Sequence, residues 1–148
     1  MNRLILTAAA IALAAVAVSA AGDNRAGDRG ADDMGYAARQ LLVTDSDVLG
    51  RPIEYPKGHP RITSAIVTIP PGGSGKLHRH KVPMYAYVLE GDVTVDYGKA
   101  GTRVFHKGDA IIEAQEVAHR GMNKGTGQVA LLVVYMGAEG TPDVELAK

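Results

Sequence analysis

The sequence predicts an all-β protein with one folded domain. Beyond residue 35, short runs rich in Val, Ile, Thr and Tyr alternate with clusters of Gly, Pro, Asp and Asn that favour turns. No stretch in this region has a helical period of useful length, and the one candidate, EYPKGHPR (54–61), is interrupted by prolines and a glycine. Many short, evenly spaced strands in one domain are typical of a β-sandwich or a β-barrel, and the pattern alone does not choose between them.

Each predicted strand is a run of about five to nine residues. The strands, in chain order, are RQLLVT (39–44), RITSAIVTI (61–69), GKLHRH (75–80), MYAYVLE (84–90), DVTVDY (92–97), TRVFH (102–106), DAIIE (109–113), AHRGM (118–122) and QVALLVVYM (128–136). Turn signals such as PPGGSG, EGD, YGKAG, KGD and NKGTG separate them. The tail GAEGTPDVELAK (137–148) lacks a strong period, and we expect it to wrap around the domain or to fray.

Composition limits the class of partner. The chain has 148 residues, a 46% hydrophobic fraction that can build a core, and a formal net charge of zero. Its basic residues are scattered rather than clustered in a stripe, so neither nucleic acid nor an anionic membrane is an expected partner. Since the chain has no cysteine, packing alone has to stabilise the fold.

The N-terminus predicts a secretory signal peptide at residues 1–21. Arg3 precedes an apolar run over residues 4–18, and small residues follow it. The run is short for a spanning helix, which needs about 20 apolar residues. We expect cleavage after Ala20 or Ala21, which places the mature protein in the periplasm or outside the cell, away from the membrane.

Two further regions follow the signal peptide. Residues 22–35, rich in glycine and charge without apolar periodicity, are expected to form a disordered leader. Residues 36–148 are expected to form the β-barrel or sandwich domain.

Two histidines stand one residue apart in the stretch GKLHRHKVPMYAYVLEG (75–91). Side chains alternate along a strand, so His78 and His80 project to one face while Arg79 points to the other. Two imidazoles on one face suit a shared metal ion, but a bare H-x-H is more commonly a pair of surface histidines on an exposed face. This pair alone leaves both interpretations open.

A second stretch, KGDAIIEAQEVAHRGMN (107–123), follows the first in the order and spacing found in cupins, and the two together resemble the paired motifs of the cupin superfamily. The resemblance covers about residues 62–136. The matching positions are Gly73 or Gly75, His78, His80 and Gly91 in the first motif, and Gly108, His119 and Asn123 in the second. The resemblance implies a small jelly-roll β-barrel in which the three histidines converge.

The sequence departs from the family pattern at three positions. Met84 stands where the family has a glutamate, which removes a metal ligand. Ala114 and Glu116 stand where the family has a proline and a glycine, and these two changes alter a turn. The resemblance therefore implies a three-histidine variant that lacks the glutamate of the first motif.

Three neutral imidazoles with an open position suit Zn, Cu, Fe or Ni. The resemblance to cupins with a three-histidine iron site implies iron as the first expectation, with Mn, Ni, Zn or Cu as alternatives. Met84 either packs as an adaptable apolar residue or serves as a soft thioether ligand. Glu116, Gln115 and Asn123 are further candidates for a fourth ligand or for a residue that orients the ligands. For Asn123, however, the expected role is to hold the turn that follows His119.

Three interpretations stay open on the sequence. The first is an exported metal-dependent enzyme, of oxygenase or isomerase type, acting on a small organic substrate. The second is a non-catalytic barrel that binds a sugar or an organic acid, with or without metal. The third is a bare scaffold whose histidines are vestigial. A homodimer is also expected, with the edge of RQLLVT or QVALLVVYM covered by a second copy.

Overall fold

The fold is described from a computed structural model, which describes Gly35 and residues 37–147. The chain divides into the units Met1–Ala38 and Arg39–Lys148, and the fold below is that of the second unit. The predicted signal peptide and most of the predicted leader lie outside the described residues. No described helix has the length and apolar character needed to cross a membrane.

The described residues form nine β-strands, one 3₁₀ turn at Gly98–Ala100 and no α-helix. The strands are β1 (Pro60–Ile69), β2 (His78–Arg79), β3 (Met84–Glu90), β4 (Asp92–Asp96), β5 (Thr102–His106), β6 (Ala110–Ile112), β7 (Arg120–Met122), β8 (Val129–Ala138) and β9 (Glu145–Leu146).

The strands pair into antiparallel sheets with a cavity between the two larger ones. One sheet has the order β1-β8-β3-β6, a second has the order β5-β4-β7, and β2 and β9 form a two-stranded sheet. Side chains from both larger sheets line the cavity, among them Val133 of β8 and Val93 of β4. The all-β prediction and the jelly-roll class implied by the family resemblance are confirmed.

The alternation along β3 explains how this strand separates the core from the outside. Met84, Ala86 and Val88 are buried, whereas Tyr85 and Tyr87 between them are only half-buried. Inward-facing apolar side chains at every second position are the pattern of a strand with one face on the core. Successive inward positions of β3 therefore wall the cavity or pack in the core beyond it.

The turn between β3 and β4 requires its glycine. Gly91 has φ of +70°, and a Cβ atom at this position would lie 2.6 Å from the Gln128 carbonyl oxygen. Both the left-handed backbone and the close approach exclude a larger residue. This tight turn connects β3 of the four-stranded sheet directly to β4 of the three-stranded sheet.

Two of the predicted strands need correction. RQLLVT (39–44) forms no strand, because its backbone pairs with no neighbour in the sheets. In GKLHRH only His78–Arg79 is strand. The tail does not fray at its middle, since Glu145–Leu146 pairs with β2 and brings the chain back over the histidines.

The edges proposed for a dimer are also wrong. RQLLVT is not a strand, and QVALLVVYM belongs to β8, which has β1 on one side and β3 on the other. Among the described residues this sheet ends at β1 on one side and at β6 on the other, and β1 is the longer of the two, with Ile62 and Ile66 exposed.

Candidate metal centre

The backbone sets the histidines beside one another. His78 lies in β2 and faces His119, which immediately precedes β7, and the two residues exchange backbone hydrogen bonds of 3.0 and 2.8 Å. The His80 carbonyl accepts a bond of 2.9 Å from the Glu116 N–H, which anchors the second histidine to the same loop. Arg79 points away and pairs with Glu145 on the outer side, as strand alternation requires.

The three imidazole rings form one cluster. Their centroids lie 4.6 to 5.0 Å apart, and one ligand atom from each ring can be chosen so that all three atoms lie within 4.8 Å of one another. His80 and His119 are almost completely buried. A convergent set of three imidazoles is a common ligand set for a divalent transition metal.

Backbone carbonyls fix the tautomer of all three rings. The Nδ1 atoms of His78, His80 and His119 lie 2.8, 3.2 and 2.8 Å from the carbonyl oxygens of Lys76, Asp143 and Val117. A carbonyl can only accept, so each Nδ1 is the protonated nitrogen. In the neutral rings each Nε2 therefore carries the lone pair that a metal needs.

The Nε2 atom of His80 supports this interpretation. It is buried and has no hydrogen-bond partner among the described residues. An unpaired buried polar atom costs free energy, roughly 1–3 kcal/mol, and therefore needs a compensating role. Coordination of a divalent cation would supply the missing partner, so the residues present fit a metal.

Burial also keeps two of the rings in the form that binds metal. The pKa of His80 is lowered to about 3, mainly by desolvation and additionally by its electrostatic interaction with His119 and His78, whereas the hydrogen bond to the Asp143 carbonyl acts in the opposite direction. Desolvation also lowers the pKa of His119, although Glu113 and the Val117 carbonyl act in the opposite direction. Both rings are therefore neutral around pH 7.

The cluster forms part of the wall of a cavity of about 350 Å³. This volume lies at the lower end of the range of small-molecule sites. Most of its lining is aliphatic, including Ile69, Ile111 and Leu131. The Tyr135 ring also lines it, 5.5 Å from the His80 ring, and burial raises the pKa of its phenol, which stays protonated. The arrangement can bind a small, largely apolar molecule with one polar end at the histidines.

The four predicted candidates for a further ligand are placed very differently. Met84 is buried and lines the cavity with its neighbours Ala86 and Val133. Asn123 is buried elsewhere: its Nδ2 donates to the carbonyls of Ile69 and Gly127, so it ties down the turn as expected.

Glu116 and Gln115 lie outside the cavity lining. Glu116 has φ of 60° in a turn and pairs with Lys81 at 3.1 Å. The Gln115 Nε2 donates to the carbonyls of Glu54 and Lys81. Both side chains line a separate outer groove, and neither lines the cavity beside the imidazoles.

The sequence analysis missed one residue of the site, Glu113. Its carboxyl group is buried at the cavity wall, with Oε2 3.9 Å from the Nε2 of His119. The Tyr97 hydroxyl donates to Oε1 over 2.6 Å, and the Ala114 N–H donates to the same oxygen over 2.7 Å. A glutamate at the end of the apolar run DAII was the available signal, since polar residues rarely enter such strands without a partner.

Fold and site together define a small jelly-roll barrel with a three-histidine site capable of binding metal. Comparison with known proteins agrees: residues 65–135 match the family model described as a cupin domain. This match confirms the resemblance to the cupin superfamily noted in the sequence. No curated protein matches the sequence.

Several solved structures are similar to this chain. The polyketide cyclase RemF from Streptomyces resistomycificus is 25% identical, with a TM-score of 0.52 over 60% of this chain and 61% of the cyclase. The DMSP lyase DddQ from Ruegeria pomeroyi DSS-3 is 19% identical, with a TM-score of 0.51 over 58% of this chain and 43% of the lyase.

A third similar structure is the oxalate decarboxylase from Lactobacillus farciminis, in a formate complex. It is 27% identical, with a TM-score of 0.49 over 57% of this chain and 26% of the decarboxylase. The chain thus spans less than two thirds of the length of each of these proteins.

Proposed function

We propose that this protein is an exported, metal-dependent cupin enzyme that acts on a small organic substrate by oxygenase or isomerase-type chemistry. The observation that carries the proposal is the convergence of three imidazoles at the wall of a small cavity, with the His80 Nε2 buried and unpaired among the described residues. His78, His80 and His119 would hold the metal, with iron as the first expectation and Mn, Ni, Zn or Cu as alternatives.

When bound, a divalent ion supplies Lewis-acid polarisation of a substrate oxygen and, if it is iron, redox chemistry with dioxygen. The other parts of the site are supplied by the chain. Aliphatic side chains such as Val133 and Ile111 enclose the body of the substrate and exclude water. The protonated Tyr135 hydroxyl can donate a hydrogen bond to a polar atom of the substrate near His80.

The cavity lining favours one class of substrate over another. A sugar needs many hydrogen bonds, whereas most groups at this wall are aliphatic. A small organic acid or enolisable carbonyl compound with an apolar body fits better, because its polar end can face the histidines. The similarity to a protein named as a polyketide cyclase supports an enzyme of organic small molecules.

The first test is metal content, measured by inductively coupled plasma mass spectrometry on untagged protein. We expect about one ion per chain in the wild type and none in a variant with His78, His80 and His119 all replaced by Ala. Absence of metal in the wild type, both as isolated and after reloading with Fe, Mn, Ni, Zn and Cu, would sink the metalloenzyme proposal.

Turnover separates the enzyme from the binding module. Oxygen uptake with diketones and thiols tests the oxygenase chemistry on the iron form, and NMR detection of rearranged product tests the isomerase chemistry. Thermal stabilisation by an organic acid without any turnover would favour the non-catalytic alternative instead.

The proposal of export rests on the pattern of residues 1–21. We expect the mature protein in the periplasmic or culture fraction, with an N-terminus at Ala21 or Gly22 in mass spectrometry. A cytoplasmic protein that retains residue 1 would contradict export without affecting the metal site.

A further inference from the structure

Glu113 stands directly across from Met84. Strand β3 pairs with β6 in the register Tyr85↔Ile112 and Ala86↔Ile111, and the Glu113 N–H continues the ladder by donating to the Met84 carbonyl over 2.8 Å. Opposed residues of an antiparallel pair point to the same face, with Cβ atoms about 5 Å apart. Glu113 and Met84 therefore both line the cavity wall. The carboxyl group of Glu113 lies beside Met84, whose own side chain has no carboxyl group.

The carboxyl group is held by one oxygen, and the other faces the histidines. Both hydrogen bonds, from Tyr97 and from Ala114, end on Oε1. Within the described residues Oε2 accepts no hydrogen bond and lies 3.9 Å from the Nε2 of His119. The protein thus orients this carboxylate without using the oxygen that points to the imidazole cluster.

The contact between Glu113 and His119 is not explained by the protein alone. The Nδ1 atom of His119 donates its proton to the Val117 carbonyl, so in the neutral ring Nε2 is an acceptor. An acceptor then faces the acceptor Oε2, and 3.9 Å is too long for a hydrogen-bonded ion pair in any case. A cation between the two atoms satisfies both lone pairs.

The spacing suits this explanation. Two ligand atoms that each lie about 2.1 Å from one ion are roughly 3.0–3.4 Å apart at tetrahedral to octahedral angles. The 3.9 Å separation has to close by about 0.5–0.9 Å, and the histidine ligand atoms, within 4.8 Å of one another, also have to move closer when an ion binds.

We propose that Glu113 is the carboxylate ligand of this centre, supplied by the residue that directly follows β6, in the role that Met84 on β3 cannot fill. The inference rests on the proposed metal function. Tyr97 is a positioning residue that holds Oε1 so that Oε2 is presented to the ion. A carboxylate beside three imidazoles favours iron and manganese over copper(I), because it is a hard, charged oxygen donor.

The experiment compares Mn(II) affinity, by isothermal titration calorimetry on metal-stripped protein, in the wild type and Glu113→Gln. We expect the Kd to rise at least tenfold in the variant and the absorption spectrum of the Co(II)-loaded protein to change. Glu116→Gln is the matched control, because it makes the same chemical change in an outer turn three residues away; its Kd should stay within twofold of the wild type.

A stability measurement and one further variant separate a ligand from a structural residue. The amide oxygen of Glu113→Gln can accept both existing hydrogen bonds, so the melting temperature of the metal-free protein should hold or rise, whereas the shift on adding Mn(II) shrinks. Glu113→Gln combined with Met84→Glu returns a carboxylate to the adjacent strand, and we expect it to regain a large part of the lost affinity.

The outcomes distinguish the two proposals. A wild type that binds no metal overturns both. A wild type that binds Mn(II), with Glu113→Gln showing an unchanged Kd and an unchanged Co(II) spectrum, overturns the role of Glu113 alone and leaves a three-histidine centre. A tenfold or greater loss in Glu113→Gln, absent in Glu116→Gln, supports it.

Discussion

The hydrogen bond between Tyr97 and Glu113 should contribute measurably to the stability of the metal-free fold. The bond is 2.6 Å long, and both side chains are buried. A hydrogen bond to a charged group contributes about 1.5–3 kcal/mol. Because Oε1 keeps its second donor in Tyr97→Phe, the Ala114 N–H, we expect the lower half of this range, about 1.5–2 kcal/mol.

This loss translates into a visible shift in melting. For a folded unit of this size, about 4 °C accompanies each kcal/mol, so Tyr97→Phe should lower the melting temperature in EDTA by roughly 6–8 °C. Tyr87→Phe is the control: it removes a hydroxyl from the outer face of β3 and should change stability by less than about 0.5 kcal/mol.

A double-mutant cycle decides whether the effect belongs to this bond. Chemical unfolding of Tyr97→Phe, Glu113→Ala and the double variant should give a coupling energy of at least about 1 kcal/mol, since each single change breaks the same contact. Strict additivity of the two changes, or a Tyr97→Phe melting temperature within about 2 °C of the wild type, would refute the reasoning and leave Tyr97 as a packing residue.

Three further outcomes are expected. In metal-stripped protein, the folded pKa of His80 near 3 lies below its ordinary value of 6.5, so the unfolded chain binds more protons between these values and stability falls as the pH drops below 6.5. From pH 7.5 to 5.5 His80 alone should account for about 1.4 kcal/mol of the loss measured by urea unfolding, and an equal slope in His80→Phe would contradict this. Removal of residues 141–148 takes away the Asp143 carbonyl that fixes the His80 tautomer, and calorimetry should show metal binding weakened about ten- to a hundredfold. The control variant Asp143→Asn keeps that backbone carbonyl and should bind metal with the affinity of the wild type. If the exposed β1 edge pairs with a second copy, light scattering should find a dimer that becomes monomeric when Ile62 and Ile66 are both replaced by Lys; a monomeric wild type would exclude the dimer.

The sequence predicted the fold where local pattern and tertiary environment agree. In β3 the alternation of Met84, Ala86 and Val88 with tyrosines is also the alternation of buried and half-buried side chains. RQLLVT has the same apolar character, yet it forms no strand, because a strand needs a neighbour and no edge is presented to residues 39–44. Strand propensity alone does not show which sheet positions are already filled.

The site was predictable as far as its motifs reach. The spacing of His78 and His80 set both rings on one face, and the family resemblance brought in His119; the structure brings the three together. Glu113 was not predictable in this way, because its role depends on the register between β3 and β6, which places it opposite Met84. Register is a property of strand pairing and is not visible in either strand alone.

The way in which the histidines are fixed has a consequence for how this centre tolerates change. All three Nδ1 atoms donate to backbone carbonyls, those of Lys76, Asp143 and Val117, and none depends on a side-chain acceptor. Substitution of the side chain at Lys76, Asp143 or Val117 therefore leaves the histidine tautomers unchanged, provided that the backbone keeps its path. The carboxyl group of Glu113 differs, because a side chain, Tyr97, supplies one of its two donors. Single substitutions should consequently change the orientation of the carboxylate more readily than the imidazoles.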